Sequence, residues 1–187
     1  MRHDGQGFST KTSPTIGACY SRSLIVCGDG SVEMQIWDTA GEERFRAMGP
    51  MYFRNACGAL AVVDVTKAES LDGVRAFVGD LRDSVVGINP VVILVANKID
   101  RARERVVEAE AIAALAASVS AAEWVETSAL TGEGVERAFK ALAKAILAKH
   151  SDWLHSDALG SSFSLPSNLH LQNTSVEDKK TRKCQAC

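Results

Sequence analysis

Val91-Val92-Ile93-Leu94-Val95-Ala96-Asn97-Lys98-Ile99-Asp100 begins as an unbroken apolar run and ends on a polar tetrapeptide. An apolar run of this length, without polar alternation, predicts a strand covered on both faces. Gly58-Ala59-Leu60-Ala61-Val62-Val63 is a second run of the same kind, and Glu123-Trp124-Val125-Glu126-Thr127 a shorter one. Between these runs the apolar spacing changes. Leu71, Val74, Val78, Leu81 and Val85 step by three and four, as do Val135, Phe139, Leu142 and Ile146, which is the period of a helix with one buried face. Residues 104–119 predict a third, alanine-rich helix with Ile112, Leu115 and Val119 on one side. Alternating strands and helices mean an α/β fold with a mostly parallel sheet flanked by helices.

Upstream, Leu24-Ile25-Val26-Cys27, a Gly28-Asp29-Gly30 turn and the alternating Val32, Met34 and Ile36 predict a β-hairpin. From Ser151 onward periodicity stops and Ser, Asn and His accumulate, so the chain divides into a domain over 1–150 and a flexible tail over 151–187. The 187 residues, 46% hydrophobic, suffice for one core, and a net charge of -2 argues against a nucleic-acid partner. No apolar run reaches membrane-spanning length, and the residues after Met1 carry no apolar signal core. Cys19, Cys27 and Cys57 lie in or beside apolar strands and read as small packing residues.

In open α/β sheets ligands bind beyond the carboxyl ends of the strands. Asp38, Asn97 and Ser128 each fall just past an apolar strand.

Trp37-Asp38-Thr39-Ala40-Gly41-Glu42-Glu43-Arg44-Phe45, Asn97-Lys98-Ile99-Asp100 and Glu126-Thr127-Ser128-Ala129-Leu130, in this order, resemble the Rab branch of the small GTPases. The resemblance implies a P-loop GTPase-like fold and a switch in vesicle trafficking that binds GTP or GDP with Mg²⁺ and hydrolyses GTP. It assigns guanine recognition to Asp100, loop closure to Asn97, cover of the base to Lys98, and a backbone N–H toward the guanine carbonyl to Ala129 in the Ser128-Ala129-Leu130 turn. Leu130 stands where the family has Lys, keeping an apolar flank without the charge. Asp38 is assigned to Mg²⁺, and Gly41 to the γ-phosphate. In Pro14-Thr15-Ile16-Gly17-Ala18, which resembles the first switch, Thr15 is assigned to both Mg²⁺ and the γ-phosphate.

Glu42 occupies the place of the family's catalytic Gln. A carboxylate cannot donate to the transition state and adds negative charge beside an anionic phosphate, so slow hydrolysis is expected. Tyr20, Trp37 and Tyr52 match an aromatic patch read by effectors, with plain core packing as the alternative. Lys179, Lys180, Arg182 and Lys183 precede Cys184-Gln185-Ala186-Cys187, similar to a prenylation box with lipid on Cys184, Cys187 or both. The resemblance therefore implies effectors, an exchange factor, a GTPase-activating protein and escort proteins as partners. It also implies a location on the cytoplasmic face of intracellular membranes, endosomal in type, in exchange with the cytosol.

A phosphate loop of the form G-x-x-x-x-G-K-S/T does not occur in the 187 residues. Gly5-Gln6-Gly7-Phe8-Ser9-Thr10-Lys11-Thr12 differs from it at Thr10, but no apolar strand precedes it and Pro14 disfavours a helix directly after it. The expectation is a domain without its first, central strand and phosphate loop, with two inner strand edges unpaired and switching impaired. The alternatives are a nucleotide-free effector-binding module or a truncated product that does not fold.

Overall fold

The computed structural model describes residues 15, 17–27, 30–41, 49–149, 170–173 and 183–186. The hairpin strands are β1 (Ala18–Cys27) and β2 (Gly30–Thr39), longer than their apolar cores because each pairs to its polar end, from Ala18↔Thr39 to Cys27↔Gly30. A short helix α1 (Gly49–Phe53) leads to β3 (Gly58–Asp64), α2 (Ser70–Ser84) and β4 (Val91–Asn97). There follow α3 (Ala109–Ser118), β5 (Glu123–Thr127) and α4 (Val135–Lys149), then two short strands, β6 (His170–Asn173) and β7 (Lys183–Ala186).

β3, β4 and β5 are parallel and in step at their carboxyl ends, where Asp64 pairs with Asn97 and Asn97 with Thr127. β4 is covered on both faces as expected, whereas on β3 Val62 is exposed and Leu60 only partly buried, so one face of that strand is incompletely covered. Along β4, Val92, Leu94 and Ala96 enter one buried cluster with Val78 and Leu81 of α2 and Ile112 and Leu115 of α3. Val91, Ile93 and Val95 enter the opposite cluster with Leu142 and Ile146 of α4 and with Ile25, Met34 and Ile36 of the hairpin. An alternating strand buried on both faces accounts for the unbroken apolar run, and each such side chain contributes roughly 1.5–3 kcal/mol on burial. Gly58 begins β3 where a Cβ would stand 2.7 Å from the Val91 carbonyl oxygen and 2.8 Å from Leu142 Cδ1. Only glycine lets α4 and β4 approach that closely.

One region differs from the sequence expectation. The helix predicted over 104–119 is shorter. A 3₁₀ segment covers Ile99–Glu104, Arg105 is extended, and α3 starts at Ala109. The N–H groups of Val106 and Val107 both donate to the Val65 carbonyl, at 2.9 and 3.0 Å, and Val107 is buried. Their backbone is therefore committed to another strand end and cannot continue a helix. Two short strands come from the segment 151–187. β6 pairs antiparallel with Gly30–Val32, and β7 lies between β2 and β3, parallel to both, giving the order β1-β2-β7-β3-β4-β5. The inner position expected to be open thus holds a strand from the far end of the chain.

Candidate guanine-nucleotide site

Three loops at the carboxyl ends of β3, β4 and β5 form one polar cluster. Asn97, the last residue of β4, accepts at Oδ1 from Thr127 Oγ1 (3.2 Å) and from the Ala129 N–H (3.1 Å). It thereby fastens the β5 loop to its own. Ser128 is fully buried and donates from Oγ to Asp100 Oδ1 at 2.5 Å, while its Oγ accepts from the Thr131 N–H. Asp100 itself is exposed. Its carboxylate is thus anchored on one oxygen and presented to solvent, the arrangement a bidentate acceptor for two ligand donors requires.

The turn after Ser128 depends on Gly134. Its φ of +69° is in the left-handed region, and a Cβ there would lie 2.0 Å from the Glu126 carbonyl oxygen. The Ser128 N–H donates to the Glu133 carbonyl across this same turn. Leu130 is about half exposed at its rim.

Lys98 has a left-handed φ of 73°, uncommon for a residue with a side chain. Its Nζ donates to Asp64 Oδ2 at 2.6 Å. Asp64 also accepts at Oδ1 from the Thr66 N–H and Thr66 Oγ1. Burial alone pushes the Asp64 carboxyl up, and the hydrogen bonds from Lys98 and Thr66 more than reverse that, holding it below the usual carboxylate range. The sequence reading missed Asp64. Its signal was present, since Asp64 ends the Gly58–Val63 run as Asn97 ends the next one.

On the hairpin side, Thr15 hydrogen-bonds to the Asp38 carboxylate. Asp38 is open to solvent at the carboxyl end of β2, but the burial it does undergo raises its pKa, and the Thr15 hydroxyl only partly offsets this. The two residues assigned to Mg²⁺ are therefore side by side. Mg²⁺ is commonly held by one or two protein oxygens plus phosphate and water, a donor set that this pair fits. The Ala40 N–H donates to the Gly17 carbonyl at 2.9 Å and closes the segment around them. At Gly41 an added Cβ meets nothing within 4 Å, so no described protein atom demands glycine there.

The aromatic residues also come together. Ring centroids of Tyr20 and Trp37 are 5.1 Å apart, and those of Trp37 and Tyr52 are 5.5 Å apart. Tyr20 is exposed and Tyr52 leans on the α2-side core, so the row runs from surface to interior. Glu42, Cys187 and the Gly5–Thr12 segment lie outside the described residues, and Cys184 is described only through its backbone pairing with Met34. Ala129 departs from its assignment in one respect: its N–H is engaged by Asn97 Oδ1, so a guanine carbonyl must share or displace that bond.

Residues 1–148 match the family model described as Ras family. Human Ras-related protein Rab-4B is 42% identical over 146 residues, covering 76% of this chain and 66% of that protein. Human Ras-related protein Rab-4A is 40% identical over 159 residues, covering 82% of this chain and 70% of that protein. The GTP-binding protein ypt3 of Schizosaccharomyces pombe is 39% identical over 140 residues, covering 75% and 64%. The chain thus spans about two thirds of the length of these relatives. With a parallel sheet flanked by helices and a cluster of polar strand-end motifs at its carboxyl edge, the chain belongs to the Ras family, in its Rab branch.

Proposed function

We infer that the chain is the switch domain of a Rab-type small GTPase acting in vesicle trafficking. The observation that carries this reading is the Asn97–Ala129 and Ser128–Asp100 pair of hydrogen bonds, which presents an anchored carboxylate at the carboxyl edge of the sheet. Asp100 accepts the guanine ring N–H and exocyclic amine. Leu130 and the Lys98 stem flank the base, although the Lys98 ammonium is drawn toward Asp64. Thr15 and Asp38 hold Mg²⁺, which when bound draws off negative charge from the terminal phosphates. Gly41 faces the γ-phosphate, and Glu42 stands where water is oriented for attack. Because Glu42 cannot donate, hydrolysis is slow, and Glu42→Gln raises the single-turnover rate by roughly tenfold or more.

The domain spans 1–150 and the tail 151–187, with lipid on Cys184, Cys187 or both anchoring it to the cytoplasmic face of endosomal membranes. Effectors read Tyr20, Trp37 and Tyr52. Exchange, activating and escort proteins complete the cycle.

A second reading, a nucleotide-free interaction module, is favoured by the row of Tyr20, Trp37 and Tyr52, whose ring centroids lie 5.1 and 5.5 Å apart. The test is to purify the chain with Mg²⁺, denature it and quantify the guanine nucleotide released. Stoichiometric GDP or GTP supports the switch. A folded, empty protein that still binds partners through the aromatic row supports the module.

A further inference from the structure

At the amino ends of β4 and β5 the fold encloses a cavity of about 420 Å³. The polar cluster described above lies at the other end of the same strands. The seven residues of β4 separate the two places by about 20 Å.

Three helices finish at this cavity. Arg82 comes from the last turn of α2, and Ala145, Ala148 and Lys149 come from the end of α4, at the three- and four-residue spacing of one helix face. Ser120, just past α3, lines it with a left-handed φ of 48°, and Asn89 lines it where the chain enters β4. The Ala122 N–H donates to the Val92 carbonyl at 2.8 Å and fixes the loop after α3 against that strand. Arg82 Nη2 donates to the Val119 carbonyl at 2.5 Å, which satisfies a carbonyl at the end of α3 and holds the guanidinium in place.

Charge sets the place apart. Lys98, Arg105, Lys140 and Arg82 are the partly buried cations among the described residues. Asp64 pairs with the first, Glu126 with the second and Glu136 with the third. Arg82 has no carboxylate partner among the described residues, and its Nε is buried without a hydrogen bond. Lys149, on the same cavity, is exposed and also lacks a carboxylate partner among the described residues. No acidic side chain lines the cavity, and the nearby Glu123 is taken by Arg137 at 2.9 Å. A half-buried guanidinium held only by a carbonyl has charge to spare for an anion.

We propose that this cavity is a binding site for a phosphate monoester carried on a small apolar body. A monoester bears about two negative charges at neutral pH, which Arg82 and Lys149 match; a diester or a carboxylate bears one. Asn89 and Ser120 add neutral donors. Pro90, Ala145 and Ala148 form the apolar wall against which the body rests. The headgroup of phosphatidic acid and a soluble phosphate ester share this chemistry. The site stands apart from the nucleotide residues and does not rest on the function proposed above.

The experiment is ¹H–¹⁵N NMR on the full chain with Mg²⁺ and excess GDP, titrated with glycerol 3-phosphate, dihexanoyl phosphatidic acid or dihexanoyl phosphatidylcholine. The first two should shift the Arg82 Nε–H and the Asn89 and Ser120 amides saturably, at least about tenfold more tightly than phosphatidylcholine. Phosphatidic acid at least about tenfold tighter than glycerol 3-phosphate supports the site and makes a lipid headgroup its source. Equal affinities support it with a soluble ester as the source. Lys149→Gln, a change at an exposed side chain, should weaken binding by roughly threefold or more with the melting temperature unchanged. Arg82→Gln should abolish the shifts; if loss of the Val119 bond unfolds that variant, Lys149→Gln decides. Absence of saturable shifts at Arg82, Asn89 and Ser120 overturns the proposal. So does an equal response to phosphatidylcholine, or unchanged affinity in Lys149→Gln. Shifts of Asn97 and Ala129 on adding GDP report the nucleotide site separately, so either reading can fail while the other stands.

Discussion

Ser128 Oγ donates to Asp100 Oδ1 at 2.5 Å, joining the loop after β5 to the loop after β4 across 28 residues of sequence. Ser128 is fully buried, and its hydroxyl also accepts from the Thr131 N–H. Ser128→Ala therefore leaves the Thr131 N–H without that acceptor and releases Asp100. The expected cost is about 1–3 kcal/mol, read as a lower urea midpoint with an unchanged denaturant slope. A midpoint equal to the parent's would mean the hydroxyl contributes nothing.

Asp100 is the residue on which base choice depends. Asp100→Asn keeps the size and can still accept from Ser128, but it replaces one acceptor oxygen by a donor amine that opposes the donors of guanine. Guanine-nucleotide affinity is expected to fall by roughly a hundredfold, measured by anisotropy of a fluorescent GDP, with stability changed by less than about 1 kcal/mol. Equal affinity for the variant would remove Asp100 from the base site.

The Lys98–Asp64 pair is a pH-dependent tie. Against the opposing effect of burial, hydrogen bonds from Lys98 and Thr66 hold the Asp64 carboxyl below the usual carboxylate range in the folded chain. Its contribution to stability is therefore fully present above that range and is lost as pH falls through the depressed folded value. Melting temperatures of the parent and Asp64→Asn should differ near neutral pH and converge in acid, as pH falls through that depressed value. A gap that persists undiminished in acid would point to packing instead of charge.

Gly134 is held at a position no side chain can share. An alanine Cβ would lie 2.0 Å from the Glu126 carbonyl oxygen and would also have to adopt φ +69°. Gly134→Ala should cost at least about 2 kcal/mol and disturb the Ser128 loop. Gly73→Ala on α2, where an added Cβ meets nothing within 4 Å, should be neutral or stabilising by about 1 kcal/mol. Thermal melts should show a clear drop for Gly134→Ala and none for Gly73→Ala.

Tyr20 and Trp37 stand opposite each other on β1 and β2 with ring centroids 5.1 Å apart. A double-mutant cycle between Tyr20→Ala and Trp37→Ala should return a coupling of roughly 0.5–1.5 kcal/mol. Coupling near zero would leave the row as two independent packing residues.

Much of this molecule is visible one segment at a time. The apolar runs at Gly58–Val63 and Val91–Ala96 and the spacing of Val74, Val78 and Leu81 mark β3, β4 and α2, because their periods reflect which faces are buried. The short polar motifs after those strands are local as well, so Asn97, Asp100 and Ser128 could be named without coordinates. Where local pattern and tertiary bonding compete, the pattern misleads: residues 104–108 look helical, but the Val65 carbonyl takes the Val106 and Val107 N–H groups. Only the assembled sheet decides that Lys98 reaches Asp64, that Ser128 anchors Asp100 and that Thr15 meets Asp38. Nor does any local signal place Lys183–Ala186 between β2 and β3. The reason is that propensity and periodicity act over a few residues, whereas strand order and register bring together atoms tens of residues apart, and those distances exist only once the chain has closed on itself.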